Sequence, residues 1–222
     1  MVKKVTRSVG ICVLLSMLAF QQQQSRKIIF FGDSITKGGS KPDGFIELLD
    51  QHLKASGNTR VELVNAGIGG DKITDLFFRF DKDILSQHPD QVVIYIGIND
   101  VWHQNVGTGT DLNKYIRFYE EMIRQLQARK IDILICTPSV IGEKKDFTNK
   151  YDGDLNAFSN AVREIARKSG VALLDLRKAF IAYEQTHNSQ NQAKSLLTED
   201  GVHLNKAGNA LLARLMKEKL HL

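Results

Sequence analysis

The sequence predicts an α/β fold of three layers, α/β/α, with a five-stranded parallel sheet in the flavodoxin-like order 2-1-3-4-5. Apolar runs of strand length recur along the chain, and segments with helical periodicity lie between them. Most of these runs are continuous instead of alternating, which is typical of strands buried on both faces. Strict alternation of strands and helices indicates right-handed crossovers and a parallel sheet with helices on both faces.

In chain order, short apolar runs alternate with segments that have apolar residues at helical spacing. The predicted strands are 27–31, 61–64, 91–96, 131–135 and 171–174. The predicted helices are 45–54, 73–85, 112–128, 155–168 and 206–220. Asp71 and Asp111 precede two helices as N-caps, and Gly170 follows a third as a C-terminal glycine. The polar segments 139–153 and 186–198 have no clear period, and loops of that length are often functional.

The first 24 residues differ from the rest of the chain. Lys3, Lys4 and Arg7 precede an apolar run from residue 9 to residue 20 and a tract of glutamines. This order is typical of a secretory signal peptide, although a small-residue cleavage site is poorly marked, and an uncleaved anchor is the alternative. We therefore expect residues 1–24 to direct export, to the periplasm or the cell exterior. Residues 25–222 should form one domain without a membrane span.

Charge and cysteine content argue against a nucleic-acid-binding protein and against a fold stabilised by disulfides. The net charge is +5, and three of the positive charges lie in residues 1–24, so the rest of the chain carries +2. Such a balance gives no indication of a nucleic-acid partner. Of the two cysteines, Cys12 lies in the N-terminal apolar run and Cys136 belongs to a predicted buried strand. A processed chain has no intrachain disulfide, so an apolar core must stabilise the fold.

Three short polar segments stand out because they contain reactive side chains. Ser34 follows the first predicted strand, Asn99 follows the third, and Asp200 precedes His203 by three residues near the C-terminus. A serine hydroxyl is a weak nucleophile that requires a base, and this spacing allows Asp200 to hold the Nδ1 proton while Nε2 faces Ser34. The carboxyl ends of the strands meet at the switch point of a doubly wound sheet. The pattern therefore predicts a serine nucleophile with a histidine base.

A tetrahedral intermediate on Ser34 would also need hydrogen-bond donors for its oxyanion. The candidate donors are the backbone N–H groups of Ser34 and Gly70 and the side-chain amide of Asn99. The pair Gly69-Gly70 suits a turn that brings an N–H close to substrate without an intervening side chain. No cofactor and no metal ion are required by this chemistry.

These residues lie in four blocks that resemble the SGNH hydrolases, also called GDSL esterases and lipases. The blocks are Gly32-Asp33-Ser34-Ile35-Thr36, Asn65-Ala66-Gly67-Ile68-Gly69-Gly70-Asp71, Gly97-Ile98-Asn99-Asp100 and Asp200-Gly201-Val202-His203-Leu204-Asn205. The resemblance implies an SGNH hydrolase domain over residues 25–222. It makes Ser34 the nucleophile, Gly70 and Asn99 oxyanion donors, and Asp200 and His203 the remaining members of the triad. The G-x-S-x-G elbow of the α/β-hydrolases is absent.

Other polar residues in these blocks have structural explanations. We expect Asp33 and Asp100 to fix their loops through hydrogen bonds to backbone amides, and Asn65 to do the same for a turn. Trp102 and His103, just beyond Asn99, would either form a wall of the substrate site or pack against the domain.

Two other classes of function fit the sequence less well. A metal-dependent phosphoesterase needs a dense set of oxygen and imidazole ligands, and no second histidine stands beside His203. A secreted glycan-binding module would keep the fold without the reaction, yet every triad and oxyanion position is present here.

The predicted loops 139–153 and 186–198 indicate the kind of substrate. They are rich in Lys, Asp, Asn and Gln and lack the apolar residues that would hold a long acyl chain. We therefore expect a short acyl group, most simply acetyl, on a hydrophilic glycan or small molecule, which secreted carbohydrate acetylesterases of this family also imply. The alternative is a lysophospholipase or a thioesterase.

Overall fold

Five parallel strands form one sheet in the computed structural model, which describes residues 25–222. The strands are β1 (Arg26–Gly32), β2 (Val61–Gly67), β3 (Gln91–Tyr95), β4 (Asp132–Cys136) and β5 (Ala172–Leu174). Their order is β2-β1-β3-β4-β5, and each neighbouring pair is parallel. The predicted fold class and strand order are confirmed.

Eight α-helices connect or follow these strands within residues 25–222. They are α1 (Ser34–Gly38), α2 (Phe45–Ala55), α3 (Ile73–Asp83), α4 (Ile98–Trp102), α5 (Leu112–Ala128), α6 (Asp152–Ser169), α7 (Leu176–His187) and α8 (Lys206–Leu220). Helix α2 packs against α8, whereas α5 packs against both α3 and α6. Short 3₁₀ helices follow α3 at Leu85–Gln87 and α4 at His103–Val106.

Most predicted helices are confirmed to within a few residues, but the short helices α1 and α4 and the longer α7 were not predicted, and one N-cap was wrong. Helix α7 falls in a region without a predicted helix, and its last residues belong to the predicted loop 186–198. Two of its four buried residues are Arg177 and Glu184, so the buried face lacks an apolar period. The N-cap of α3 is Lys72, not Asp71, because Asp75 accepts a hydrogen bond from the backbone N–H of Lys72. Asp111 does cap α5, and Gly170 ends α6 in the left-handed conformation.

The strand register aligns the ends of the three central strands. Gly32 at the end of β1 pairs with Gly67 of β2 and with Tyr95 of β3. The chain leaves all three strands at the same edge, because they are parallel. The segments that carry Ser34, Gly70 and Asn99 therefore start from neighbouring points on this edge.

A continuous apolar core lies on both faces of the sheet. Ile28, Val92 and Ile135 on the central strands have no exposed surface, as expected of strands covered on both sides. Tyr115 and Tyr119 of α5 are also fully buried, and each donates a hydrogen bond from its hydroxyl to a backbone carbonyl of the β3 segment. Cys136 is a buried free thiol. The strand ends are thus attached to a rigid interior.

The predicted signal segment, residues 1–24, lies outside the described residues. Within residues 25–222, no helix combines the length and the apolar character needed to cross a bilayer.

Candidate active site

Ser34 lies at the start of α1, directly beyond the carboxyl end of β1. The Asp33 carboxylate caps this helix by accepting a hydrogen bond from the backbone N–H of Ile35 at 2.9 Å. A methyl group at Gly32 would collide with the Thr36 hydroxyl and the Tyr95 carbonyl, so only glycine allows the turn to be this tight. The sequence Gly-Asp-Ser therefore fixes where the serine hydroxyl lies.

The Ser34 hydroxyl, the His203 imidazole and the Asp200 carboxylate form a continuous hydrogen-bonded chain. Ser34 Oγ lies 3.0 Å from His203 Nε2, although the two residues are 169 positions apart. His203 Nδ1 lies 2.7 Å from Asp200 Oδ2. The side chains of His203 and Asp200 are 41% and 49% exposed, so the imidazole is open to substrate and water.

The Asp200 carboxylate also organises its own turn. Its Oδ1 atom accepts hydrogen bonds from the backbone N–H groups of Val202 and His203 at 2.9 and 2.8 Å. Burial of Asp200 favours the neutral acid, but hydrogen bonds from the His203 side chain and from these two amides outweigh it and lower the pKa of Asp200 to about 2. Asp200 is therefore ionised beside His203 at any pH near neutrality.

A second carboxylate, that of Glu143, anchors the segment that leads into this turn. Glu143 is completely buried and accepts hydrogen bonds from the backbone N–H groups of Leu196, Leu197 and Thr198 at 2.6 to 2.8 Å. The Thr198 hydroxyl in turn accepts a hydrogen bond from the backbone N–H of Gly201. The predicted loop 139–153 thus holds the chain that carries Asp200.

Gly70 and Asn99 lie on the neighbouring strand ends. Gly70 has φ +86°, a conformation that favours glycine, and a methyl group added there would meet no atom of residues 25–222 within 4 Å. Asn99 is 4% exposed, and its Nδ2 atom donates a hydrogen bond to the Asp71 carbonyl at 3.0 Å. An amide NH₂ has two donors, so one N–H of Asn99 is held by Asp71 and the other is available. Gly69 lies beside Ser34, because a methyl group on it would be 3.9 Å from Ser34 Cβ.

Two buried carboxyl groups stabilise the loops around these donors, as predicted. Asp100 is fully buried and accepts a hydrogen bond from the backbone N–H of Ile73, which joins α4 to α3. Burial raises the pKa of Asp100 to about 6 and that of Asp33 to about 7. Asn65, also predicted to hold a turn, donates to the Thr36 carbonyl and accepts from the backbone N–H of Gly67.

A polar cleft of about 370 Å³ opens on Ser34 and His203. Much of its wall comes from residues 41–44, which were not predicted from the sequence, and from residues 199–200 and 203–206. Lys41, Asp43 and Lys206 supply charged groups of both signs at its rim. The turn residues Pro42, Asp43 and Gly44, close after the Ser34 block, were the available signal.

A second depression, of about 360 Å³, lies on the other side of Asp200. Trp102, Tyr151, Lys144 and Asn149 line it, so the predicted loop 139–153 does contribute to the surface beside Asp200. Trp102 also packs against the core, whereas His103 lines neither cavity. Within residues 25–222 there is no cluster of three or more His, Cys, Asp or Glu side chains arranged to hold a metal ion.

A serine, an imidazole and a carboxylate in hydrogen-bonded order, at the switch point of a doubly wound sheet, define the arrangement of a serine hydrolase. The chain belongs to the GDSL-like Lipase/Acylhydrolase family, which it matches over residues 30–211. It is therefore a carboxylic ester hydrolase, as the four sequence blocks predicted.

Individual proteins of this kind are similar to the chain in sequence and in structure. The chain is 30% identical to an acetylxylan esterase from Geobacillus stearothermophilus, over 85% of this chain and 90% of that protein. Its sequence is 48% identical to that of the acetyl xylan esterase AlAXEase, and comparison with the crystal structure of that enzyme gives a TM-score of 0.85. The match covers 86% of this chain and 98% of that one. A third relative is Axe2, an acetylxylan esterase from Geobacillus stearothermophilus, in the structure of a catalytic mutant with a histidine replaced by alanine. This chain is 25% identical to it with a TM-score of 0.78, over 90% of this chain and 95% of that one.

Proposed function

We propose that this protein removes acetyl groups from a carbohydrate by way of an acyl-enzyme on Ser34. The observation that carries the proposal is the hydrogen-bonded chain from Ser34 Oγ through His203 to Asp200, at 3.0 and 2.7 Å. These distances are within the range required for proton transfer from a nucleophile to its base.

In the first half of the reaction, Ser34 Oγ attacks the ester carbonyl carbon while its proton passes to His203 Nε2. The tetrahedral intermediate then loses its bond to the sugar oxygen, and His203 returns the proton to that oxygen as the alcohol leaves. Asp200 accepts the Nδ1 hydrogen bond throughout and stabilises the imidazolium. In the second half, water attacks the acetyl-serine with His203 as base, and acetate leaves as Ser34 regains its proton.

The oxyanion of each tetrahedral intermediate is bound by three N–H groups in this proposal. They are the backbone amides of Ser34 and Gly70 and the free N–H of the Asn99 side chain. Within residues 25–222, neither backbone amide donates a hydrogen bond to another protein group. The Asn99 amide is held in orientation by the Asp71 carbonyl. Donors that are already oriented strengthen binding of the developing charge without reorganisation during the reaction.

Two observations favour an acetylated carbohydrate as substrate. The cleft beside Ser34 is lined mainly by polar and charged groups, which suit a hydrophilic alcohol better than a lipid chain. All three relatives described above carry the name acetylxylan esterase.

The position of Trp102 fits a wall of the substrate site. Trp102 lies three residues after Asn99 on α4, so both side chains project from the same face of that helix. We assign Trp102 to the wall of the site and leave His103 out of it.

We also propose that residues 1–24 direct export of the enzyme. Their three basic residues followed by an apolar run support this proposal. The mass of the mature chain from the producing cell tests it: loss of a segment near residue 24 is expected, whereas a full-length mass in the cytosol contradicts export.

The test of the substrate class is a comparison of initial rates on p-nitrophenyl acetate, butyrate and octanoate and on acetylated xylo-oligosaccharides. We expect the rate to fall with acyl length and acetate to be released from the sugar. Ser34→Ala should abolish both activities, which serves as the control for contaminating esterases. Preference for the octanoyl ester would contradict the proposed substrate.

A further inference from the structure

Arg79, on α3, is the one side chain that bonds both to the β1 end and to the loop carrying Gly70 and Asp71 among the contacts described for residues 25–222. Its Nη2 atom donates to the Gly32 carbonyl at 3.0 Å, two residues before Ser34. Its Nε atom donates to the Asp71 carboxylate at 2.7 Å. The guanidinium also lies 4.4 Å above the centre of the Phe31 ring. One planar group thus sets the separation of two segments of the site.

The Asp71 backbone connects this guanidinium to the third segment. The Asp71 carbonyl accepts the hydrogen bond from Asn99 Nδ2 at 3.0 Å, and Asp71 directly follows Gly70. A shift of Asp71 therefore moves both the Gly70 amide and the group that orients the Asn99 amide. Arg79 is bonded to Asp71 on one side and to the approach to Ser34 on the other.

Arg79 itself is not placed to touch substrate. Its side chain is only 14% exposed, and a third donor, Nη1, bonds to Asp83 on the same helix at 2.8 Å. Burial raises the pKa of Asp71, and the bonded guanidinium opposes that rise. Arg79 therefore forms a partly buried set of charge-assisted hydrogen bonds, in which one planar guanidinium donates to three acceptors.

We propose that Arg79 is a positioning residue for the oxyanion hole: anchored at the Gly32 carbonyl, it fixes Asp71, whose carbonyl orients the Asn99 amide. This inference rests on the proposed function, in which Ser34, Gly70 and Asn99 supply the oxyanion donors. An ordinary salt bridge would contribute to stability alone. A positioning role predicts a loss of kcat that depends on the presence of Asn99.

The test is a double-mutant cycle of Arg79→Lys and Asn99→Ala, with kcat and KM measured on p-nitrophenyl acetate. Lysine keeps the positive charge near Asp71 but lacks the planar fork that bonds several acceptors. We expect Arg79→Lys to lower kcat by about 10- to 100-fold with KM changed by less than about threefold. In the Asn99→Ala background the same substitution should cost at most about threefold, because the donor that it positions is already gone.

Arg163→Lys is the matched control, because Arg163 forms a comparable pair with Asp175 through two hydrogen bonds and contacts none of the proposed catalytic residues. It should change kcat by less than about twofold. Should Arg79→Lys not fold, Asp71→Asn removes the charge that Arg79 binds and must show the same dependence on Asn99.

The outcomes separate this inference from the proposed function. The positioning role alone is overturned if the fold-losses in kcat of the two single variants multiply in the double variant. It is also overturned if the kcat of Arg79→Lys is within about twofold of the wild type. Retained activity in Ser34→Ala overturns the proposed function. Retained activity in Asn99→Ala overturns the oxyanion role of Asn99 and, with it, the positioning role of Arg79.

Discussion

Glu184 should make the stability of this protein fall as the pH rises, and a single substitution should remove that effect. Glu184 lies on α7 with 2% of its surface exposed, and its Oε1 atom has no hydrogen-bond partner among residues 25–222. Burial is the largest cause of a raised pKa of about 8; the nearby carboxylates of Glu143 and Asp152 also raise the pKa, and Arg177 opposes the rise. The folded protein therefore keeps this side chain protonated at neutral pH.

The sign of the effect follows from the two pKa values. In the unfolded chain Glu184 loses its proton near pH 4.5, and in the folded chain near pH 8. Below the first value both states are protonated and the stabilisation is complete. Between the two values the unfolded state alone ionises, so the free energy of unfolding decreases as the pH rises. Above the second value no further change from Glu184 is expected.

The two pKa values also give the magnitude. Each pH unit between them is worth roughly 1.4 kcal/mol, so a separation of about 3.5 units corresponds to a loss of about 5 kcal/mol. Glu184→Gln replaces the neutral acid by a neutral amide of the same shape. Relative to the wild type, this variant should gain about 4 to 5 kcal/mol in free energy of unfolding between about pH 5 and about pH 9.

Urea unfolding of the two proteins across that pH range measures the difference directly. The buried acids Asp33 and Asp100 also have raised pKa values, so they contribute to the slope of both proteins and cancel in the comparison. Glu121→Gln is the matched control, because hydrogen bonds from Arg124 and then Gln125 lower the pKa of Glu121 to about 2, and it is ionised throughout this range. Parallel curves for wild type and Glu184→Gln would refute the reasoning.

Three further predictions concern the site. Asn99→Ala should lower kcat on p-nitrophenyl acetate by roughly 10²- to 10³-fold with little change in KM, because one oxyanion donor is lost; unchanged kcat would remove Asn99 from the mechanism. Asp200→Asn should lower kcat by roughly 10³- to 10⁴-fold because the imidazole loses the carboxylate that fixes its tautomer, and a loss below tenfold would contradict that role. Asp33→Ala should lower the free energy of unfolding by about 1 to 2 kcal/mol, because the cap on the buried Ile35 amide is lost; Asp33→Asn, which keeps an acceptor, should lose less in the same urea titration.

The sequence predicted most of the fold and all of the residues in the proposed triad, for a local reason. Strands that are buried on both faces appear as continuous apolar runs, and the polar blocks sit directly after them. The parallel register then brings Ser34, Gly70 and Asn99 to one edge without any further information.

What the sequence did not reveal depends on contacts between distant segments. Glu143 binds amides 53 to 55 positions away, and Arg79 binds a carbonyl 47 positions away. No local period marks such residues, and a charged residue in a helix is ordinarily read as exposed. Helix α7 was missed for the same reason, since Arg177 and Glu184 occupy its buried face.

The most direct test of the central claim is intact-mass analysis of the enzyme quenched during turnover of p-nitrophenyl acetate, followed by peptide mapping. The account predicts a transient gain of one acetyl group on Ser34 that is absent in Ser34→Ala and greatly slowed in His203→Ala. An acetyl group on another residue, or full turnover by Ser34→Ala, would contradict it.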